Sequence, residues 1–183
     1  MIGAIVAAAL SPSAPAVTNS YESIMTTTLG SAQSNITFSS IPSGYKHLQI
    51  RGVASNAYGS GNSNVSVYAN GDTTTSNYYS HYLYGTGAGS AGSAASANSL
   101  YTFQASGSST YPTAFVLDLL DYTNTNKYKT FRTISGYDAN GSGLIAFTSA
   151  LWKNTSAITS LQFVAQDGNW NTGTTFALYG IKG

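Results

Sequence analysis

The chain has 183 residues, no cysteine and a formal net charge of only +1, and charged side chains make up 7% of it. This length suits one domain with a single buried core, and the lack of cysteine excludes disulfides and thiolate metal sites. The hydrophobic content of 42% is too high for a disordered chain. Because weakly charged surfaces repel each other little, the composition favours a protein that packs among neighbouring molecules.

An apolar run, residues 2–10, opens the chain and leads into a Pro- and Ala-rich stretch. Nine residues are too few to cross a bilayer, which takes about 20, and no positive charge precedes them as in a secretory signal. We therefore predict that residues 1–17 form an arm that docks on a partner protein or a neighbouring copy, without membrane association. Tucking into the chain's own core is the alternative. The predicted docking residues are Ile2, Ile5, Val6 and Leu10.

The remainder, residues 18–183, reads as one β-domain, with about ten short strands separated by Gly, Asn, Asp and Ser turns. In the clearest strand, Leu48 and Ile50 alternate with Gln49 and Arg51, which predicts one buried and one wet face. The predicted strands are residues 21–29, 35–38, 48–54, 65–69, 78–84, 100–105, 114–120, 129–137, 144–152, 158–165 and 174–182.

Three local predictions concern a turn, a surface loop and a buried strand. The Asn70-Gly71 pair predicts a hairpin that joins strands 65–69 and 78–84, because both residue types accept positive φ. Residues 85–98 carry no large side chain and are predicted to form a surface loop. Residues 114–120 are the most apolar run of the domain, which favours a strand covered on both faces.

The spacing of these strands is typical of a sandwich or a barrel. We predict an all-β fold, an antiparallel β-sandwich with an extended N-terminal arm. A jelly roll is the expected topology, and other sandwiches are the alternative.

No constellation for catalysis emerges from the titratable residues. Four of the six acids lie in or beside predicted turns, where Asp bonds the local backbone: Asp72, Asp121, Asp138 and Asp167. The two histidines, His47 and His81, fall in separate strands and no serine lies in a nucleophile motif. We expect no enzymatic activity, no catalytic residue, no metal and no cofactor.

The basic residues are spread along the chain, and their only cluster is Lys127, Lys129 and Arg132. Binding to nucleic acid by counterion release needs a denser basic surface than this. We therefore expect no nucleic-acid partner.

Aromatic residues provide the one candidate for ligand contact. Alternation places Tyr78, Tyr82 and Tyr84 on one strand face, and Trp170 is predicted to be exposed in a Gly- and Asn-rich loop, residues 167–173. Aromatic rings with a polar tip stack on sugars and also occur at protein interfaces. The two candidate ligands for these aromatic residues are a host glycan and a protein partner.

Three segments resemble a β-domain found in accessory structural proteins of tailed bacteriophages. They are FSSIPSGYKHLQIRG (38–52), NGD followed by NYYSHYLYG (70–85) and FALYGIKG (176–183). The resemblance implies a virion component on the outer surface of the particle, commonly a homotrimer with a jelly-roll body. It implies no catalytic residue, and the apolar arm is not part of the shared pattern.

Two functions follow as expectations. In the first, the protein is a capsid decoration or cement protein that binds the major capsid protein, or other virion proteins, and stabilises the head. In the second, it is a tail or head fibre module whose loops 85–98 and 167–173 bind a host surface glycan. A secreted sugar-binding or hydrolytic domain is a third, weaker expectation.

Overall fold

The computed structural model describes residues 20–59, 61–87, 91–97 and 101–183. These residues form two antiparallel sheets that pack face to face, so the predicted all-β sandwich is confirmed. All four predicted docking residues of the arm lie outside the described residues. They are Ile2, Ile5, Val6 and Leu10.

The described strands are close to those predicted, with one addition. They are β1 (Tyr21–Thr28), β2 (Asn35–Phe38), β3 (His47–Ala54), β4 (Asn62–Ala69), β5 (Tyr78–Gly85), β6 (Ala91–Ala97), β7 (Phe103–Ser106), β8 (Thr113–Leu120), β9 (Lys129–Asp138), β10 (Gly143–Trp152), β11 (Leu161–Ala165) and β12 (Thr175–Ile181). A single turn of 3-10 helix, Thr75–Asn77, precedes β5.

The large sheet has eight strands in the order β1-β12-β3-β8-β9-β10-β5-β6, and the small sheet has four in the order β2-β11-β4-β7. The small sheet packs on the middle of the large one, because its edge strand β7 contacts β8, β9 and β10. This antiparallel sandwich is compatible with the predicted jelly roll.

Alternation of side chains decides which face of each strand is buried. In β9, Phe131 and Thr133 are buried while Arg132 and Ile134 are exposed. In β3, Leu48 and Ile50 enter the core as predicted, but Gln49, predicted to be on the wet face, is buried. It lies on the outer face, where it hydrogen-bonds to Asp118 and Arg51. The large sheet therefore has an inner face that contributes to the core and an outer face that points away from it.

An aromatic cluster fills the centre of the sandwich, and Phe176 of β12 lies in its middle. Its ring centroid is 4.9 Å from that of Phe115, 5.0 Å from that of Phe163 and 5.4 Å from that of Trp170. Phe103 stacks on Phe115 at 4.2 Å. Because Phe115 and Phe176 belong to the large sheet and Phe103 and Phe163 to the small one, these contacts join the two sheets.

Gly52 of β3 makes room for this cluster. A Cβ atom at this position would lie 2.5 Å from the ring of Phe115 and 2.7 Å from the carbonyl oxygen of Thr175. Both distances are far below van der Waals contact, and the carbonyl belongs to a paired strand that cannot move independently. A side chain here would therefore displace the ring of Phe115.

The prediction that residues 114–120 are covered on both faces is wrong. Phe115, Leu117 and Leu119 are buried, but Ala114 and Leu120 on the opposite face are exposed. The reason is that the small sheet covers only one side of β8, and no described element lies on the other side. The apolar content of this strand instead contributes to an exposed surface.

The predicted hairpin at Asn70-Gly71 is also wrong. Both residues have positive φ, 53° and 71°, and the backbone closes a turn with a hydrogen bond from Asp72 N to Ala69 O of 2.9 Å. However, β4 pairs with β7 and β11 in the small sheet, whereas β5 pairs with β10 and β6 in the large sheet. The turn chemistry was right, but the chain crosses between sheets after it.

The predicted loop at residues 85–98 contains a strand. Residues 91–97 form β6, which pairs with β5 at the edge of the large sheet, and the flanking residues 88–90 and 98–100 lie outside the described residues. The ring of Tyr84 lies 2.6 Å from where a Cβ atom of Gly92 would be. Small residues are thus used here because the neighbouring tyrosine occupies the space beside the backbone.

Replacing Phe176 by alanine should lower the free energy of unfolding by about 3–5 kcal/mol, because the cavity lies between the two sheets. The control is Phe147→Ala, since Phe147 is half exposed on the outer face and its loss should cost about 1 kcal/mol or less. Urea unfolding of both variants measures the difference. Equal losses would contradict the central role of the cluster.

Gly52→Ala should lower the free energy of unfolding by about 1–3 kcal/mol through overpacking. Gly44→Ala is the matched control, because a Cβ atom added there would have no other atom within 4 Å, and thermal unfolding should show little change. If the Gly52→Ala protein had the same melting temperature as the wild type, the Phe115 ring would be able to move aside, and the predicted overpacking would be wrong.

Candidate interaction surface

The outer face of the large sheet carries a row of apolar side chains across four adjacent strands. Leu83 of β5 pairs with Phe147 of β10, Phe147 pairs with Ile134 of β9, and Ile134 pairs with Val116 of β8. Ile145 lies two residues from Phe147 on β10 and therefore on the same face. We call these five residues the outer-face patch.

The outer-face patch is substantially exposed. The exposed fractions are 60% for Leu83, 53% for Ile134, 62% for Ile145 and 45% for Phe147. Single exposed apolar residues are ordinary, but contiguous ones mark surfaces that contact another molecule. Covering such a patch contributes about 25 cal/mol per Å² of apolar area removed from water.

Two glycines shape the patch around Ile145. In the strand register, Ile145 lies between Gly85 of β5 and Gly136 of β9, so no side chain flanks it on either neighbouring strand. This leaves a shallow hollow on each side of the Ile145 side chain, one towards Leu83 and one towards Val116.

A polar network borders the patch along the next rows of the sheet. Asp118 forms an ion pair with Arg132 at 3.3 Å and accepts a hydrogen bond from Gln49 at 2.7 Å. Arg51 donates to Gln49 at 2.6 Å, and its guanidinium lies about 5.5 Å from the ring of Tyr21. These groups satisfy one another, so the polar border leaves the apolar patch as the unmatched part of the outer face.

Two of the four predicted ligand-contacting aromatics are buried. Trp170, predicted to be exposed, is fully buried, and its Nε1 donates to the carbonyl oxygen of Phe163 at 3.2 Å. The loop turns inward because its backbone pairs with Gln33. Tyr78 is fully buried as well, and its hydroxyl donates to the carbonyl oxygen of Asp72 at 2.7 Å. Burial raises the pKa of Tyr78. Neither ring can stack on a sugar.

The other two predicted aromatics remain partly accessible at the wide end of the large sheet. Tyr82 packs on Tyr101 with 4.5 Å between ring centroids, and Tyr84 lies 6.0 Å from Tyr82. Burial raises the pKa of Tyr101 to about 12. Among the predicted aromatics, Tyr84 has the largest exposed fraction.

The acids serve mainly structural contacts. Asp72 accepts hydrogen bonds from Trp152 Nε1 and Asn77 Nδ2, each at 2.8 Å, and from the backbone of Thr74. Burial acts to raise the pKa of Asp72, but these hydrogen bonds outweigh it and the pKa is lowered. Asp138 accepts from the backbone nitrogen of Asn140, as its predicted turn role requires.

The basic cluster of the sequence is divided among separate contacts. Lys127 pairs with Asp121, and Arg132 pairs with Asp118. Lys129 is almost fully buried, and its ammonium donates to the carbonyl oxygens of Asn124 and Thr155. These three cations do not form a continuous basic surface.

Asp121 holds the densest group of charges. Lys127 donates to one of its carboxylate oxygens, and Lys46 Nζ lies 3.2 Å from the other. His47 Nδ1 accepts a hydrogen bond from the backbone nitrogen of Asp121 at 3.0 Å. The contacts with Lys127 and Lys46 lower the pKa of Asp121 to about 2. The carboxylate links β8 to β3 and to the turn before β9.

The described ranges contain no group of three or more His, Cys, Asp or Glu side chains that could hold a metal ion. In the same residues, no helix is long and apolar enough to cross a membrane. No protein-family model matches the chain, and a comparison with curated proteins finds no match. The assignment of function therefore depends on the surface itself.

The patch residues were predicted to lie in strands, but their common exposed face was not predicted. A signal was present: in β10 the apolar residues Leu144, Ile145, Ala146 and Phe147 occupy both parities, so one pair must point away from the core. What could not be read from one strand is that its outward residues align with Leu83 of a distant strand.

The charged group at Asp121 predicts acid sensitivity. The folded pKa of about 2 lies below the ordinary value of 3.8, so the stabilisation is complete above about pH 4 and is lost as the pH falls towards 2. Asp121→Asn should therefore be less stable than the wild type at pH 7, and this difference should shrink as the pH falls through that window. Melting temperatures across the window measure this. Asp138→Asn is the control, and a constant difference for Asp121→Asn would contradict the assignment.

Proposed function

We propose that the protein is a structural component of a tailed-bacteriophage particle, and specifically a capsid decoration or cement protein on the outer surface of the head. In this role it binds the major capsid protein, or another virion protein, and stabilises the shell without catalysing a reaction. The proposal includes a homotrimer, as the resemblance of residues 38–52, 70–85 and 176–183 implies.

The outer-face patch is the observation that carries this proposal. A sheet face with exposed Leu83, Ile134, Ile145 and Phe147 is the kind of surface that protein partners cover. The low charge of the whole chain supports dense packing of many copies, because repulsion between them is weak. Repetition over a symmetric shell turns a modest contact into strong retention.

The fibre alternative has lost part of its support. A glycan-binding module was expected to use Trp170 and Tyr78, and both rings are buried. Tyr82 and Tyr84 are the predicted aromatics left for that role, and Tyr82 is already engaged by Tyr101. A glycan array tests this alternative directly, with Tyr84→Ala as the variant that should abolish any signal.

Copy number separates the two roles. Quantitative mass spectrometry of purified particles should find this protein in amounts comparable with the major capsid protein if it decorates the head. A fibre module would be present at a small fraction of that amount. Absence from the particles, or a copy number typical of a tail fibre, would overturn the decoration proposal.

A further inference from the structure

Two parts of this protein are apolar and suited to contact each other. One is the outer-face patch, which is apolar and exposed. The other is the run of residues 2–10, which has no charged or polar side chain and precedes the first described residue, Ser20. We propose that the outer-face patch of one copy binds residues 2–10 of a neighbouring copy, so that copies are joined by arm exchange.

The chemistry of the two surfaces matches. Residues 2–10 consist of four branched apolar side chains among glycine and alanine, and the branched residues are Ile2, Ile5, Val6 and Leu10. The patch offers a ridge at Ile145 with a hollow on each side, because Gly85 and Gly136 flank it. Branched side chains fill the hollows, and the small residues between them let the arm approach the ridge closely.

The starting point of the arm favours a neighbouring copy over the same copy. Ser20 lies at the beginning of the edge strand β1, where its carbonyl oxygen accepts from Lys182 N at 3.0 Å. Four or five strand spacings separate β1 from β9 and β10. With about 4.8 Å per spacing and the offset along the strands, the span from Ser20 is about 20 Å to Val116, at the near edge of the patch, and about 23–28 Å to Ile134 or Phe147.

Residues 11–19 would have to bridge that span to reach the patch of their own copy. Nine residues extend to about 30 Å at most, whereas their root-mean-square reach as a flexible chain is about 15–18 Å. To place residues 2–10 on the ridge at Ile145 of the same copy, the linker would have to stretch well beyond its root-mean-square reach and pass over Arg51 and the tyrosines beside it. A neighbouring copy can present its patch within the ordinary reach of the linker.

Weak charge removes the usual obstacle to such contact. With a net charge of +1 and its ion pairs formed internally, the chain presents little like-charge repulsion to a second copy. Arm exchange and the proposed capsid contact use the same patch and would compete for it, and the purified protein tests arm exchange in the absence of any virion component.

Two variants of the full chain test the contact. The arm variant combines Ile5→Asp with Val6→Asp, and the face variant combines Ile134→Thr with Ile145→Thr, which keeps β-branched side chains in the strands. Leu120→Thr is the control, because Leu120 is exposed to a similar extent, 47%, at the level of His47 and away from the patch. Circular dichroism and thermal unfolding check that each variant is folded, and Leu83→Thr replaces any face variant that is not.

The measurement is molar mass by size-exclusion chromatography with light scattering, supported by sedimentation velocity. The wild type and Leu120→Thr should have a mass that is a multiple of 19.0 kDa, and the arm and face variants alone should each fall to 19.0 kDa. An equimolar mixture of the two variants should recover a heterodimer, because one supplies an intact face and the other an intact arm.

Three outcomes would overturn the inference. If the wild type were a monomer, the arm would not bind a neighbouring copy, and its binding site would lie on its own copy or on another protein. Variants that keep the wild-type mass would show that copies associate elsewhere. Variants that become monomeric but do not recover a heterodimer when mixed would show that the arm and the patch do not bind each other.

Discussion

The contact between the two sheets through Phe176 is the interaction on which the rest of the structure depends. The ring touches Phe115 of its own sheet and Phe163 of the opposite sheet, and Trp170 closes one side of the same cluster. Such rings bury large areas and add edge-to-face contacts. Gly52 is part of this arrangement, because its missing side chain leaves space for Phe115. A chain with few charged residues thus gains its stability mainly from apolar burial.

The outer face of the large sheet is the surface available for partners. The small sheet covers the inner face of the large sheet around the cluster, while the outer face has no described cover. Strands β5, β8, β9 and β10 then align Leu83, Val116, Ile134 and Phe147 in one row. Polar contacts beside the row are satisfied among themselves, as for Asp118 and Arg132. The apolar row is therefore the part of this face that gains most from a partner.

A structural role in a particle and an exchange of arms would both depend on the apolar contact area of each copy and on the repetition of that contact in an assembly. Individual apolar contacts contribute by area, and a symmetric assembly multiplies them. Low charge lets two protein surfaces approach closely, but it does little to orient them. The specificity of such a contact therefore has to come from the shape of the surfaces. The ridge at Ile145 between Gly85 and Gly136 provides such a shape, since a larger residue at either position would fill a hollow.

The sequence by itself determined the all-β class, most strand positions and the buried face of β3, because alternation of Leu48 and Ile50 with polar neighbours is a local property. It also located the turn at Asn70-Gly71, since positive φ depends on the residue type. Only the tertiary structure decided that the chain crosses between sheets after this turn and that Ala91–Ala97 is a strand. It also decided that Trp170 faces inward. Each of these depends on pairing with residues distant in the sequence. Backbone hydrogen bonds use groups that nearly every residue type carries, so the residue types do not specify which strands pair.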